Sequence, residues 1–356
     1  MENKLEVLIE KLEGDMDAAL ITSPINRRYY TGFNSSAGVV VATRKSRTFI
    51  IDSRYFEAAQ RKVKGMEVVL ENNRHQQIRA ILEAEGIKRL AVESDRVSMS
   101  GYLDYKKAFP EMEILFDNRL SDLITAQRQI KTSEEISLTD QAQQITDRAF
   151  NHILTYIRPG LTELEVTLEL ETACRRFGSS EPAFTSIVVS GQNSSMPHGV
   201  PTEKPLEKGD FLTMDFGCTV GDYHSDMTRT VAVGHATEKM QEVYQTVLSA
   251  QLAAIAVIKE GIPCKEVDKT ARDLISKAGY GEYFGHGLGH AIGLEVHENP
   301  RFNTVSEVIA KAGLIMSVEP GIYLPGQFGV RIEDMVLVTQ EGCRNFTQSP
   351  KELIVV

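Results

Sequence analysis

The chain has 356 residues, 42% of them hydrophobic and 25% charged, an ordinary globular composition and more than one average domain needs, so two domains are expected. A formal net charge of −10 argues against a nucleic-acid partner, because phosphate binding needs clustered Lys and Arg. No run approaches the ~18 apolar residues of a membrane span, and a cytoplasmic location without a membrane partner is expected. Cys174, Cys218, Cys264 and Cys343 stand far apart with no C-x-x-C pair, which excludes a zinc knuckle or a thioredoxin-like motif and leaves reduced core residues as the reading.

Residues 1–14 carry the pattern of a charged amphipathic helix. Up to about Asp122, the apolar runs AALITSP, VVVA, TFIIDS, MEVVLE, RLAVES and MEILFD predict short strands, with helices over Ser53 to Lys64 and Arg74 to Gly86. Together they predict an α/β domain with an at least partly parallel sheet. No Gly-rich, phosphate-cradling loop occurs there. The polar stretch from Arg128 marks a domain boundary, after which Thr132 or Ser133 is suited to cap a helix. A long helix from Thr139 to Ile157 must stop at Arg158-Pro159-Gly160, since Pro cannot continue it and Gly can end it. Thr162 and Glu165 then form a capping box opening a second helix to Gly178.

This two-helix unit occurs twice. Residues 158–178 align with 259–279 at a constant offset of 101, matching Gly160 with Gly261, Leu161 with Ile262, Glu165 with Glu266 and Val166 with Val267. A long apolar-periodic helix precedes each copy, the second over Glu238 to Lys259. The strands that follow repeat as well: Asp215 ends one apolar run and Asp226 precedes another, while Glu319 and Glu333 take the corresponding places later. An uncompensated charge buried in such strands would cost several kcal/mol, so a cation must neutralise these acids. An ion-pair network using Arg331 and Arg229 is one solution. Metal ions are the other, because carboxylates with a histidine form a ligand set for Mn²⁺, Fe²⁺, Co²⁺ or Zn²⁺. Three of the eight histidines, His286, His290 and His297, lie among glycines 285, 287, 289 and 293. The glycines oppose a helix, so a strand or loop pressed close to a ligand is expected.

The motifs MDFG, SDMTRTV, GHGLGHAIGLEVHE, SVEPGIY and GVRIEDMVLV, with 11 residues from Asp215 to Asp226 and 14 from Glu319 to Glu333, closely resemble the pita-bread-fold metallopeptidases, specifically prolidases and aminopeptidases P. The resemblance covers residue 129 onward, and Asn26 to Phe33 resembles the creatinase-type N-terminal domain that methionine aminopeptidases lack. It implies an α/β (α+β) protein with a small creatinase-type N-terminal domain over 1–125 and a pita-bread catalytic domain with pseudo-twofold halves over 129–356. It further implies two divalent ions, with Mn²⁺ the first choice: Asp215 would hold one, His290 and Glu319 the other, and Asp226 and Glu333 both. Glu319 would act as general base, His297 would stabilise the oxyanion, and His198, with His286 beside it, would contact substrate. For His198, a plain loop histidine in a Pro-rich turn is the alternative. Arg331 would support Glu333.

The implied activity is hydrolysis of Xaa-Pro bonds at the N-termini of short proline-containing peptides, by an Xaa-Pro dipeptidase (prolidase) acting as a homodimer. The alternative is an Xaa-Pro aminopeptidase acting on longer peptides. A non-peptidase hydrolase or a binding module on the same fold is the remote reading, opposed by the intact set of five ligands. Arg301 is the candidate for the carboxylate of a dipeptide, with an exposed surface arginine as the alternative.

Overall fold

The apolar runs that precede Asp122 assemble into one sheet in the computed structural model, which describes residues 4–12 and 14–356. Contacts divide the chain between Arg128 and Gln129. The first unit runs α1 (Lys4–Glu10), β1 (Ala18–Ile21), α2 (Pro24–Thr31), β2 (Val39–Thr43), β3 (Arg47–Ile51), α3 (Phe56–Lys62), β4 (Glu67–Leu70), α4 (Arg74–Ala84), β5 (Arg89–Val92), α5 (Met99–Ala108), β6 (Glu113–Leu115) and α6 (Arg119–Gln129). The amphipathic pattern expected over 1–14 is helical at α1; residues 1–3 and 13 lie outside the described residues. The sheet order is β4-β3-β2-β1-β5-β6. Its outer pairs are parallel, as are β1 and β5, while β1–β2 and β2–β3 are antiparallel.

Helices α2 and α5 escape a search for apolar periodicity for different reasons. The buried face of α2 includes Asn26, Arg27 and Thr31, satisfied by hydrogen bonds such as Asn26 Nδ2 to Glu93 Oε1 at 2.7 Å. Helix α5 has no fully buried residue; only the half-buried Tyr102, Tyr105 and Ala108 pack on the core, a stripe too narrow to stand out as apolar periodicity.

The second unit continues with α7 (Ser133–Leu154), α8 (Glu163–Arg176), β7 (Ile187–Ser190), β8 (Phe211–Phe216), β9 (Thr219–Val220), β10 (Tyr223–His224), β11 (Met227–Ala232), α9 (Glu238–Val257) and α10 (Cys264–Lys277). It closes with β12 (Gly289–Ala291), β13 (Glu298–Phe302), β14 (Ile315–Val318), β15 (Gly321–Leu324), β16 (Phe328–Arg331), β17 (Asp334–Val338) and β18 (Cys343–Asn345). Helix α7 starts six residues before the expected Thr139, because Thr132 and Glu135 form a capping box that satisfies its first turn. The capping box at Thr162 and Glu165 is formed as expected.

The duplication is visible in hydrogen bonds. Gly160 N donates to Leu206 O and Gly261 N to Ala310 O, both at 2.9 Å; Leu206 N donates to Leu161 O and Ala310 N to Ile262 O, both at 2.8 Å. Gly160 and Gly261 sit at φ of 92° and 87°, a conformation that favours glycine. Each half then builds equivalent pairings, β8 with β7 and β11, and β14 with β12 and β17. Two apolar cores lie beneath them, one around α7 and α8 and one around α9 and α10. All four cysteines are free, with Cys343 half-buried and the other three buried. Among the described residues no helix is long and apolar enough to cross a membrane.

Candidate metal centre

The two halves meet where their acids are. Glu333 N donates to Thr228 O at 3.1 Å, and Thr230 Oγ1 donates to Arg331 O at 3.0 Å, joining β11 to the end of β16. Asp215 lies on β8 opposite Thr228, and Asp226 immediately precedes β11. Glu319 follows β14, and Glu333 separates β16 from β17. His290 belongs to β12, whose pairing with β13 shifts register between His290 and Ala291. The Gly-rich segment is thus a strand and loop, as its glycines require. At Gly289 a Cβ would lie 2.1 Å from Ser317 O, so a side chain there would drive β12 off β14.

His290 Nε2 stands 3.2 Å from Glu319 Oε1 and 3.7 Å from Asp226 Oδ2. One ligand atom each from Asp226, His290 and Glu333 lies within 4.8 Å of the others. His290 Nδ1 is 3.2 Å from Ala291 O; a proton donated there leaves the Nε2 lone pair free for a cation. Arg331 Nη2 donates to Asp215 Oδ2 at 2.6 Å. Its expected support of Glu333 takes an indirect route, because Arg331 Nε donates to Thr228 Oγ1 at 3.0 Å and that hydroxyl donates to Glu333 Oε2 at 2.7 Å.

These contacts decide between the two ways of neutralising the acids. Arg331 pairs with Asp215, whereas Arg229 pairs with Asp334 at 2.8 Å and donates to the Glu333 backbone carbonyl at 2.6 Å. Neither guanidinium pairs with the Asp226 or Glu333 carboxylate. Burial, then the charges of Glu333, Asp215 and Glu319, pushes the Asp226 carboxyl well above the usual range. Burial, then Glu319 and Asp215, does the same to Glu333. Burial also acts upward on Glu319, but the hydrogen bond and charge of His290, with His286 and Arg331, outweigh it and hold that carboxyl at about 2. Asp215 Oδ1 and Glu333 Oε1 are buried without a hydrogen-bond partner. Unpaired oxygens, mutually repelling carboxylates and an available imidazole nitrogen fit divalent cations.

All the candidate residues line one cavity of about 410 Å³: His198, Asp215, Asp226, His286, His290, His297, Arg301, Glu319, Arg331 and Glu333. The His290 and His297 rings are 4.4 Å apart, edge to face. Partial burial, then the neighbouring His290, lowers the His297 pKa, which keeps this imidazole neutral at pH 7. His286 Nε2 lies 3.0 Å from the Tyr323 hydroxyl, to which Arg331 Nη1 donates at 2.8 Å. Arg301 pairs in register with His290, so both side chains leave the sheet on one face.

Residues 137–340, more than half of the chain, match the model for metallopeptidase family M24. The chain belongs to this family. Residues 3–130 match the creatinase/prolidase N-terminal domain. This M24 peptidase is 44% identical over 342 residues to an uncharacterized peptidase of Bacillus subtilis, covering 96% of each chain. A solved Xaa-Pro dipeptidase from Bacillus anthracis superposes with a TM-score of 0.95 at 43% identity, covering 99% of both chains. An X-Pro aminopeptidase from Thermotoga maritima gives a TM-score of 0.92 at 36% identity, again covering 99% of both.

Several residues in the cavity wall, or hydrogen-bonded to it, escaped sequence reasoning in the M24 peptidase. Thr228 and Tyr323 stand inside the quoted motifs SDMTRTV and SVEPGIY, yet only their hydrogen bonds to Arg331 give them a task. Burial pushes the Tyr323 phenol up to about 12, so it stays a hydroxyl. Phe184, Ile187 and Val296 form apolar wall and carry no local sequence signal.

Proposed function

We propose that this M24 peptidase hydrolyses Xaa-Pro bonds of short proline-containing peptides as an Xaa-Pro dipeptidase dependent on two divalent ions. One observation carries the reading: four acids and a histidine from two duplicated halves converge on one cavity, with buried carboxylate oxygens left unpaired. Asp215 would hold one ion, His290 and Glu319 the other, with Asp226 and Glu333 placed to serve both; Mn²⁺ is the first choice, and Co²⁺, Fe²⁺ and Zn²⁺ suit the same ligands. Bound there, such ions supply Lewis-acid polarisation of the scissile carbonyl and a water acidic enough to attack near neutral pH.

The chain's own residues do the rest. Glu319, ionised at neutral pH, accepts the nucleophile's proton on a carboxylate oxygen and passes it to the prolyl nitrogen. The neutral His297 donates a hydrogen bond to the carbonyl oxygen as charge develops. His198 contacts substrate at the cavity mouth, with His286 beside Tyr323 behind it. Arg331 orients Asp215, and Arg301 receives the carboxylate of a dipeptide. Phe184, Ile187 and Val296 offer the prolyl ring an apolar wall, and a tertiary amide has no N–H that would need an acceptor there. The reading includes a creatinase-like domain over 1–125, a catalytic domain over 129–356, a cytoplasmic homodimer and no nucleic-acid partner.

The Bacillus anthracis dipeptidase supports the dipeptide reading. The Thermotoga maritima structure, an X-Pro aminopeptidase of nearly the same shape, favours a second, in which longer peptides are cleaved at the same bond. Parallel hydrolysis of Ala-Pro and Ala-Pro-Ala by one metal-loaded preparation separates them. Chelation should abolish cleavage and Mn²⁺ or Co²⁺ should restore it. A preference for the tripeptide moves the assignment to an aminopeptidase, and full activity in demonstrably metal-free protein refutes the metal mechanism.

A further inference from the structure

Glu163 is a fully buried carboxylate that no cation pairs with among the described residues. Its Oε1 accepts from Ser190 N at 2.6 Å, Ser190 Oγ at 3.0 Å and Asn193 Nδ2 at 3.1 Å. Its Oε2 accepts from Thr202 N at 2.9 Å and Thr202 Oγ1 at 2.7 Å. Carboxylate oxygens buried this deep need several donors in place of water. All these donors belong to the two ends of one loop, which leaves β7 at Ser190 and returns at Thr202.

The duplication supplies an internal control. The residue 101 positions after Glu163 is Cys264, equally buried and packed in the apolar core of the second half. Both positions use their backbone alike, Glu163 N donating to Lys204 O at 3.1 Å and Cys264 N to Val308 O at 2.8 Å. The turn itself therefore needs no carboxylate. What distinguishes the first half is the loop that the carboxylate closes, whose tip carries Pro197 and His198. Met196 and Val200 beside them are 49% and 71% exposed, so core packing does not hold the tip. Its inner attachments are hydrogen bonds: Arg331 Nη1 donates to Pro197 O at 3.2 Å and Gly329 N to Ser194 Oγ at 2.9 Å.

We infer that Glu163 is a positioning residue for substrate, closing the 190–202 loop so that His198 is held at the cavity mouth. The inference rests on the assignment of His198 to substrate contact. The test is a double-mutant cycle on Ala-Pro hydrolysis. Glu163→Gln puts an amide N–H₂ where only acceptors fit, and should lower kcat/KM by about 10- to 100-fold with metal content per chain unchanged. Hydrogen exchange at residues 190–202 should quicken while the rest of the catalytic domain stays protected. In a His198→Ala background the same change should cost less than about twofold, because the group being positioned is gone. Thr202→Val removes one arm of the tie from the solvent side and should give the same pattern at smaller size, which keeps the test available if Glu163→Gln does not fold. Equal losses in both backgrounds, or wild-type kcat/KM in Glu163→Gln, overturn the role of Glu163. A His198→Ala enzyme as fast as the wild type overturns instead the substrate-contact reading beneath it.

Discussion

Replacing Arg301 with alanine separates a dipeptide from a longer substrate. Arg301 sits opposite His290 across β12 and β13 and reaches the cavity that contains Asp226 and Glu319. Among the described residues no hydrogen bond or ion pair engages its guanidinium, so it is available to an incoming anion. A hydrogen bond to a charged group contributes about 1.5–3 kcal/mol, and a planar fork matches a carboxylate bidentately. Arg301 is exposed, and solvent screening favours the lower end of that range, about 1.5 kcal/mol. That converts to about a tenfold rise in KM for Ala-Pro. Turnover should change by less than about twofold, because a remote carboxylate is bound alike in ground and transition states. In Ala-Pro-Ala the carboxylate lies one residue farther out, roughly 3.5 Å, and its KM should rise by less than about threefold. The assay is initial-rate kinetics on both peptides, with metal content matched between wild type and Arg301→Ala. Equal changes on the two peptides, or none on Ala-Pro, refute the carboxylate role.

His297→Ala should lower kcat for Ala-Pro by about 10²-fold or more, the effect of a lost transition-state donor, with metal content by elemental analysis nearly unchanged; a variant that arrives without metal makes His297 a ligand. Thr228→Val keeps the shape of a buried side chain but strips Arg331 Nε and Glu333 Oε2 of their shared hydroxyl, and should destabilise the metal-loaded protein by about 2–5 kcal/mol in urea unfolding; an unchanged midpoint refutes the relay. In metal-free protein, Asp226 binds its proton more tightly folded than unfolded, so its contribution to stability falls as pH rises above the ordinary aspartate value of 3.8. Asp226→Asn should therefore raise the metal-free melting temperature more at pH 8 than at pH 5 while removing the stabilisation that added Mn²⁺ gives the wild type. A larger gain at the lower pH contradicts the sign.

The acids of this M24 peptidase were legible in its sequence because hydrophobicity patterning makes them conspicuous. A carboxylate that interrupts an apolar strand is buried wherever that strand goes, and the demand for a compensating cation follows from solvation alone. The duplication was legible for a related reason, since Gly160 and Gly261 take the same backbone geometry in the equivalent turns that follow α7 and α9. Helix α2 shows the limit: its inward face includes Asn26, Arg27 and Thr31, suited to burial only by Glu93, just past β5, and by the backbone carbonyls of Thr22, Arg27, Phe33 and Ser35.

Partner choice at the site belonged to the tertiary structure. Arg331 was expected to support Glu333; its guanidinium reaches Glu333 through Thr228 and bonds Asp215, 116 positions distant, directly, while Arg229 takes Asp334 across 105. Residues two apart on an unbroken strand share a face, but Ile332 and Glu333 fall between β16 and β17, so the acids a side chain meets are set by how the two halves are registered against each other. The apolar wall of Phe184 and Val296 and the Glu163 tie across the His198 loop have the same origin. Composition and spacing determined that this chain would gather carboxylates and histidines around cations; the meeting of its halves, fixed by hydrogen bonds over a hundred residues apart, decided which group orients which.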